Sequence, residues 1–318
     1  MSDTADLISV IVTNYNHAKY LGQRMESLSR QTYPNLEIIV VDNCSTDNSL
    51  EVLSRYKSDP RVKIVALGKN VGNINSSNMG VSLSRGKYFI FAEADDHNDP
   101  AQIELLHKAM EGNEQIAAAF CRSYMVDSEG KIFDEDFNHR DRSFREACSK
   151  DTIIPGRSAQ RFLLYSCIIP NFSAVLFRRE YFDLAGGLTH RYQTCADWDF
   201  WFRMAQKGDL YYLSTPLNYF RRHRASAGTL LGVELTVIEI MKMLYQESRN
   251  VDLTVWEKFR FKVNVGVIWG RYRKPDPGLW WKSFPSIWRQ SLSYDKFSLV
   301  YLILAFIKRG TERMIGRA

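Results

Sequence analysis

Short apolar runs alternate with amphipathic segments over the first hundred residues of the chain. The apolar runs are rich in β-branched residues and have the length of buried strands; they span residues 7–13, 36–41, 62–67 and 88–92. The segments between them place apolar residues at helical spacing and span residues 18–30, 47–56 and 73–84. Asp47 is a candidate N-terminal cap for the second of these helices. Because parallel strands need long crossover connections, the alternation predicts a doubly wound parallel sheet.

The pattern changes twice further along the chain. After residue 116 it becomes irregular and contains a polar loop at 134–151, a strand at 174–178 and a helix that begins near Asp197. We expect this middle part to bind a second substrate. Beyond Gly228 the pattern is mostly helical, is interrupted by the Pro- and Gly-rich segment 274–278, and contains five of the seven tryptophans.

Composition and charge narrow the class of protein. A chain of 318 residues with 45% hydrophobic and 25% charged residues has the make-up of an ordinary globular protein. Its net charge of +6 is unevenly spread, because residues 256–318 hold thirteen Lys or Arg against four Asp or Glu. This asymmetry indicates an anionic partner for the tail, such as membrane phospholipid or nucleic acid, or else a solvated basic face.

The cysteines and the start of the chain favour a cytoplasmic protein. The five cysteines are scattered and never form a Cys-x-x-Cys pair, so the sequence predicts neither a disulfide framework nor a zinc site. The first residues are polar and acidic, and we therefore expect no secretory signal. The longest apolar run, residues 297–307, is far shorter than the roughly 20 residues that span a bilayer.

Polar residues follow the first two predicted strands, where an open parallel sheet binds its ligands. The first strand leads into Thr13-Asn14-Tyr15-Asn16, which contains no glycine, so the pyrophosphate turn of a dinucleotide-binding fold is missing and a nicotinamide enzyme is disfavoured. The second strand ends at Asp42. A carboxylate there suits a base imide N–H or ribose hydroxyls, although aspartate is also common in strand-end turns.

Two further acidic segments are candidates for chemistry. The fourth strand runs into Glu93-Ala94-Asp95-Asp96, whose carboxylates would suit Mg²⁺ or Mn²⁺ together with diphosphate oxygens; a solvated acidic turn is the alternative. Asp197 lies at a predicted helix start, directly before a segment rich in bulky aromatic residues that includes Trp198 and Trp201. It is either a general base that partial desolvation tunes toward neutral pH, or a carboxylate that the helix dipole stabilises.

In their order and spacing these motifs resemble glycosyltransferase family 2, the large inverting group with the GT-A fold, over residues 7 to about 226. The resemblance also includes Asn70-Val71-Gly72, the small-residue helix through Asn78 and Gly80, and Tyr219-Phe220-Arg221-Arg222-His223. It implies an α/β chain of three parts: a Rossmann-like nucleotide-binding half (1–116), an acceptor-binding half (117–229) continuous with it, and a helical C-terminal extension (230–318).

The resemblance assigns roles residue by residue. The residues that correspond to the nucleotide and diphosphate site are Thr13, Asn14, Tyr15, Asn16, Asp42, Asn70, Gly72, Asn78, Asp95 and Arg221. Those that correspond to the metal site are Glu93, Asp95 and His223, and Asp197 matches the catalytic base. This chain departs from the family pattern at Glu93, where Asp is usual, and at Ala196, where Glu is common.

The implied reaction is metal-dependent transfer of a sugar from a nucleoside diphosphate, most often UDP, to a saccharide hydroxyl. The acceptor would be lipid-linked if the basic, Trp-rich tail lies on the anionic inner face of the cell membrane. The competing account is that these aromatics pack against the catalytic domain or a second subunit of a homo-oligomer. We expect no nucleic acid partner. A non-catalytic nucleotide- or glycan-binding subunit is the rival function, and a nucleotidyltransferase is disfavoured because its glycine-rich loop is missing.

Overall fold

The structure is a computed structural model that describes residues 5–222, 232–271 and 277–314. Within these ranges the strands form one sheet in the order β3-β2-β1-β4-β9-β6-β10-β5, with β7 beside β6 and β8 beside β10. The strands are β1 Ile8–Asn14, β2 Leu36–Asp42, β3 Val62–Ala66, β4 Tyr88–Glu93, β5 His97–Asn98, β6 Ile116–Val126, β7 Ile132–Glu135, β8 Thr152–Ile154, β9 Val175–Arg178 and β10 Asp209–Arg221.

Helices cover both faces of this sheet and make up most of the C-terminal region. In the first 222 residues they are α1 Ala18–Ser29, α2 Ser49–Ser54, α3 Asn73–Leu83, α4 Gln102–Met110, α5 Arg142–Ala147, α6 Gly156–Leu163, α7 Arg179–Leu184 and α8 Ala196–Ala205. The later helices are α9 Val233–Glu247, α10 Val255–Arg271, α11 Pro277–Leu292 and α12 Ser298–Met314. None of the helices in the described ranges is long and apolar enough to cross a membrane.

The alternation seen in the first hundred residues is confirmed, and with it the α/β class. Strands β3, β2, β1 and β4 are parallel neighbours, so their carboxyl ends share one rim. Across this rim Asn14 pairs with Asp42 and Thr13 pairs with Glu93. The N-cap of α2 is Asn48 and not Asp47. The Asp47 carboxylate instead accepts from the first amide of two helices, Ser49 of α2 at 3.0 Å and Ala18 of α1 at 2.9 Å.

One expectation for the middle of the chain was wrong, and the direction of its predicted strand was left open by the sequence. The whole sheet is mixed, because β9 runs antiparallel to both β4 and β6. Asn171, just before β9, is bonded to Asp96 at the carboxyl rim, so the chain enters β9 from that rim and has to run the opposite way. The segment 134–151 is not a plain loop: it contains a 3₁₀ helix, Asp136–His139, and α5, whose N-cap Asp141 accepts from the Ser143 amide at 2.9 Å.

The C-terminal helices share a core with the second half of the sheet domain, residues 117–222. One buried cluster, between the sheet and α1 and α4, includes Leu21 and Leu106. The cluster on the opposite face contains Phe200 of α8 and continues into the C-terminal region through Val237 and Trp269. The boundary proposed at residues 229 and 230 therefore separates two stretches of sequence and does not separate two cores.

Candidate active site

Asp42 lies at the end of β2 with its carboxylate held in a fixed orientation. Asn14 Nδ2 donates to Asp42 Oδ1 at 2.7 Å, Ser45 Oγ donates to the same oxygen at 2.6 Å, and the Ser45 amide donates to Oδ2 at 3.0 Å. The residue is 1% exposed. An ionised carboxylate has about four acceptor positions, so roughly one remains for a donor on a ligand.

The turn after β1 is tied to the turn after β2. Asn16 and Cys44 both adopt left-handed backbone conformations, with φ of 58° and 65°. The Thr46 amide donates to Asn16 Oδ1 at 2.7 Å, and the Asn16 amide donates to Ser45 Oγ at 3.0 Å. Tyr15, which lies between Asn14 and Asn16 in the sequence, is 44% exposed. Left-handed non-glycine residues concentrate at functional turns, and these two lie in the paired turns that follow β1 and β2.

The segment before α3 is attached to the same rim. Asn43 Oδ1 accepts from the Val71 amide at 2.8 Å, and Asn70 Oδ1 accepts from Asn43 Nδ2 at 3.0 Å and from the Gly72 amide at 2.9 Å. Gly72 has φ of 83°, a conformation that glycine adopts without strain. The Asn-x-Gly motif thus brings its backbone next to Asp42.

Asn78 has a different set of neighbours. Its side chain donates to the carbonyl of Leu188 at 2.8 Å and accepts from the Leu188 amide at 3.3 Å. These two bonds join α3 to the loop that leads into α8. These bonds provide partners for both polar atoms of the Asn78 side chain without a ligand. The role of Asn78 in nucleotide binding therefore stays a prediction.

The acidic turn after β4 rests on a buried arginine that the sequence analysis missed. Arg24 of α1 is fully buried, and its Nε donates to the carbonyl of Glu93 at 2.8 Å. Its other nitrogens donate to Asn98 and Ser173, and burial lowers its pKa to about 10. The signal was present in the sequence, because Arg24 falls on the apolar face of α1 among Leu21 and Met25.

Three carboxylates crowd together at this turn. Asp96 accepts from Asn171 Nδ2 at 2.5 Å and from the Arg221 amide at 2.9 Å, and burial together with Asp95 raises its pKa to about 7. Burial is also the main cause that raises the pKa of Glu93, followed by the charges of Asp96 and Asp95. Asp95 itself is half-buried at the rim.

Arg221, at the end of β10, supports the turn from within the protein. Its Nε donates to the carbonyl of Asp95 at 2.7 Å, Nη1 donates to the carbonyl of Asp127 at 2.8 Å, and Nη2 donates to Gln23 at 2.7 Å. Because each of these nitrogens already has a protein acceptor, the contact of Arg221 with a diphosphate stays a prediction. His223, predicted as a metal ligand, lies outside the described residues.

Asp197 lies in the first turn of α8, close to the acidic turn. Its charge contributes to the raised pKa of Glu93, an effect that requires the two carboxylates to lie near each other. The residue is exposed to solvent, yet the protein atoms around its carboxylate raise its pKa. Trp198 beside it is buried and donates through Nε1 to the carbonyl of Leu163 at 3.0 Å.

The acidic turn offers carboxylate oxygens, those of Glu93 and Asp95, which are suitable ligands for a divalent cation. Among the described residues no group of three His, Cys, Asp or Glu is arranged to hold a metal by itself. Mg²⁺ and Mn²⁺ sites at phosphates commonly use one or two carboxylates, with diphosphate oxygens and water as the other ligands. A cation beside Glu93 and Asp95 would also relieve the mutual repulsion that raises the pKa of Glu93.

The parallel half-sheet, its polar rim and the continuous second half together define a GT-A fold. The Glycosyl transferase family 2 model matches residues 9–184, more than half of the chain. The chain belongs to this family. Asp197 and Arg221 lie beyond the matched residues, so their roles rest on the resemblance and on the geometry described above.

Similar proteins support the same fold. A complex of S. aureus TarS (residues 1–349) with UDP-GlcNAc has a TM-score of 0.66 at 16% identity and covers 98% of this chain and 92% of that one. The mannosyltransferase PcManGT from Pyrobaculum calidifontis, in complex with GDP-Man and Mn²⁺, has a TM-score of 0.54 at 17% identity and covers 96% and 89%.

The sequence relatives are glycosyltransferases that match over shorter stretches. An uncharacterized glycosyltransferase of Haemophilus influenzae is 42% identical over 117 residues, 36% of each chain. A second one from the same organism is 25% identical over 255 residues, covering 78% of this chain and 81% of the relative. Chondroitin synthase of Pasteurella multocida is 24% identical over 209 residues, covering 65% of this chain and 20% of the synthase. The matches to the first relatives found span about a third to a half of their length.

Proposed function

We propose that the protein is an inverting glycosyltransferase that moves a sugar from a nucleoside diphosphate, with UDP favoured, to a hydroxyl of a saccharide acceptor. One observation carries the proposal: Asp197 lies near enough to the acidic turn that also holds Asp95 for its charge to contribute to the raised pKa of Glu93. Asp42 lies on the same rim, two strands from Glu93 and therefore roughly 10 Å away. A nucleoside diphosphate fits along this line.

Each of these residues has a distinct task in the proposed reaction. Asp42 and Asn14 bind and orient the nucleoside. Glu93 and Asp95 would hold Mg²⁺ or Mn²⁺, which when bound supplies a Lewis acid for the diphosphate leaving group. Asp197 accepts the proton of the acceptor hydroxyl as that oxygen bonds to the anomeric carbon. The bond from that carbon to the diphosphate oxygen breaks at the same time, so the configuration inverts.

The biological setting is proposed from the names of relatives. Chondroitin synthase of Pasteurella multocida and a putative teichuronic acid biosynthesis glycosyltransferase of Bacillus subtilis are among them. We place this chain in polysaccharide or glycan biosynthesis, with a lipid-linked or soluble saccharide as acceptor. The rival function is a non-catalytic subunit that binds nucleotide or glycan.

A donor panel separates the two functions. The full chain is incubated with UDP-, GDP- and TDP-sugars, Mn²⁺ and a mixture of saccharide acceptors, and free nucleoside diphosphate is measured by chromatography. We expect release with at least one donor, dependent on acceptor and abolished in Asp197→Asn. Nucleotide binding without release from any donor would support the binding subunit and contradict the transferase.

A surface on the C-terminal helices supports a peripheral position on the membrane. On α12 the residues Val300, Ile303 and Ile307 are exposed within one face of the helix. On α10, which packs against α12, Trp256 and Phe259 are exposed, and the Phe259 ring lies 6.1 Å from that of Tyr301. We call these five exposed residues the C-terminal apolar face. Trp269, in contrast, is buried in the core, so the packing account holds for that tryptophan.

Charge favours an anionic lipid surface as the partner. Lys258 and Lys296 are exposed beside the C-terminal apolar face, whereas the acids nearby, Glu257 and Asp295, are paired with Arg161 and Lys262. A two-fold interface with a second copy would place each patch against itself and bring like charges together. Apolar side chains with flanking cations suit the boundary between headgroups and acyl chains.

Flotation tests this surface. The full chain is mixed with phosphatidylcholine vesicles with or without phosphatidylglycerol, alongside the double variant V300E/I303E. Leu184→Glu, a change at an exposed leucine of α7, is the control. We expect binding to anionic vesicles that the double variant loses and the control keeps. Equal flotation of all three proteins, or a changed oligomeric state without any vesicle binding, would contradict the membrane assignment.

A further inference from the structure

Helix α9 holds the loop that leads into α8. Glu239, in the middle of α9, accepts three hydrogen bonds through one oxygen, Oε2. The donors are the Gln193 amide at 2.9 Å, the Thr194 amide at 2.8 Å and the Thr194 hydroxyl at 2.8 Å. The loop residues in these bonds precede Asp197 by only three and four positions.

A second side chain of α9 holds the start of the same loop. Gln246, two helical turns after Glu239 and therefore on the same side of α9, accepts from the Tyr192 hydroxyl at 2.5 Å and from Arg191 Nη2 at 3.1 Å. Arg191 Nη1 in turn donates to Asp199 of α8 at 3.0 Å. The loop is therefore connected to both helices over the four residues 191–194.

Side chains of α8 itself make further bonds that hold the helix, one of them to the same loop. Asp199 is buried and also accepts from Arg203 Nε at 2.9 Å, and Arg203 donates to the carbonyl of Gly187 at 2.8 Å. The N-cap residue Cys195 makes no capping bond through its side chain. Trp198 and Asp199 thus anchor the first turn of α8 from inside the protein. The path of the chain into this turn, just before Asp197, is set by residues 193 and 194 and by what holds them.

We propose that Glu239 is a positioning residue that sets the place of Asp197 through the backbone of residues 193 and 194. Three hydrogen bonds to one carboxylate oxygen define the path of the chain into α8. Two of the three are charge-assisted bonds from backbone amides, those of Gln193 and Thr194. A misplacement of about 1 Å at a reacting group lowers the rate on the order of a hundredfold. The catalytic consequence rests on the proposed function, whereas the contact between α9 and the loop does not.

The experiment compares Glu239→Ala, Glu239→Gln and the control Glu234→Ala, which removes an exposed acid from the first turn of the same helix. Hydrogen exchange is measured for the peptide spanning residues 189–200, and kinetics are measured with the donor found active in the panel. In Glu239→Ala we expect the amides of Gln193 and Thr194 to exchange at least tenfold faster. We expect kcat to fall about 10- to 100-fold with the donor KM unchanged.

The conservative variant distinguishes positioning from general stability. Glu239→Gln keeps a carbonyl oxygen at the same place, so we expect partial recovery of both the protection and kcat, and Glu234→Ala should match the wild type. Unchanged exchange in Glu239→Ala would overturn the proposal, as would a parallel loss of kcat, donor affinity and thermal stability without recovery in Glu239→Gln. If Glu239→Ala exchanges faster but the wild-type protein transfers no sugar, the proposed function is overturned. The contact between α9 and the loop would then still be supported.

Discussion

The two halves of the catalytic domain place their functional residues in different ways. In the nucleotide-binding half, Asp42 and Glu93 come at the ends of parallel strands, and the register with β1 alone brings them to one rim. In the acceptor-binding half, Asp197 comes at the start of a helix whose approach is held by α9, about forty residues later. The first arrangement is set by local strand geometry, and the second depends on tertiary contacts.

This difference suggests a division of labour between the halves. Strand ends provide a stiff frame, which suits a nucleotide and diphosphate that are bound in the same way in every turnover. The helix start and its loop are held by side chains of a different region, which suits an acceptor site whose shape can change without altering the sheet. We therefore expect variants of the two halves to separate donor binding from sugar transfer.

The largest expected effect comes from the acceptor-binding half. Asp197→Asn removes the proton acceptor but keeps the shape of the side chain, and we expect kcat to fall about 10³-fold because a general base contributes on the order of 10² to 10⁴. The affinity for nucleoside diphosphate, measured by calorimetry, should stay within a factor of about two to three. A variant that retained full turnover would remove Asp197 from the mechanism.

A smaller effect, on nucleotide binding instead of on kcat, is expected at the acidic turn. Asp95→Ala removes a predicted ligand of the cation, so Mn²⁺-dependent binding of nucleoside diphosphate should weaken about 10- to 100-fold. Calorimetry with and without Mn²⁺ measures the change, and Asp134→Ala, at an acid that is already bonded to Asn138 and His139, is the control. Equal Mn²⁺-dependent binding by the wild type and Asp95→Ala would exclude this residue from the site.

The stiffness of the nucleotide-binding half is tested at Gly80 of α3. A Cβ at this position would lie 2.3 Å from Cγ2 of Ile11 in β1, so Gly80→Ala forces the helix away from the sheet. We expect the free energy of unfolding in urea to fall by about 1 to 3 kcal/mol. Gly68→Ala, where a Cβ would meet nothing within 4 Å, should be close to neutral. Similar losses in both variants would contradict close packing of α3 on β1.

The smallest expected effect is a pH-dependent gain in stability from the loss of the Asp197 charge. The protein atoms around the Asp197 carboxylate raise its pKa although the residue is exposed, so folding favours its protonated form. The ionised carboxylate therefore opposes folding above that pKa, and this cost disappears below the unfolded value of about 3.9.

Asp197→Asn should thus melt at a slightly higher temperature than the wild type at about pH 7, and the difference should vanish near pH 3. Asp134→Asn is the control, because hydrogen bonds lower the pKa of Asp134. Removal of that charge should lower the melting temperature at neutral pH or leave it unchanged. A lower melting temperature of Asp197→Asn at neutral pH would contradict the raised pKa.

Local periodicity was enough to predict the nucleotide-binding half from the sequence. The four parallel strands and the residues just after them were found because strand length, apolar content and the rule for ligands at carboxyl ends all depend on nearby residues. The direction of β9 could not be predicted from local periodicity, because it depends on where the chain returns to the sheet. Arg24 was missed as a partner of the acidic turn, although a charged residue on an apolar helix face was visible. The contact between Glu239 and the α8 loop joins residues that only tertiary packing brings together.

The shared core has a practical consequence for engineering this chain. Phe200 of α8 belongs to the same buried cluster as Val237, Trp269 and Leu302. A chimera that exchanged only the residues after 230 for those of another glycosyltransferase would replace one side of that cluster and leave the other unmatched. An exchange that kept this packing would have to move α8 together with the C-terminal helices that it contacts.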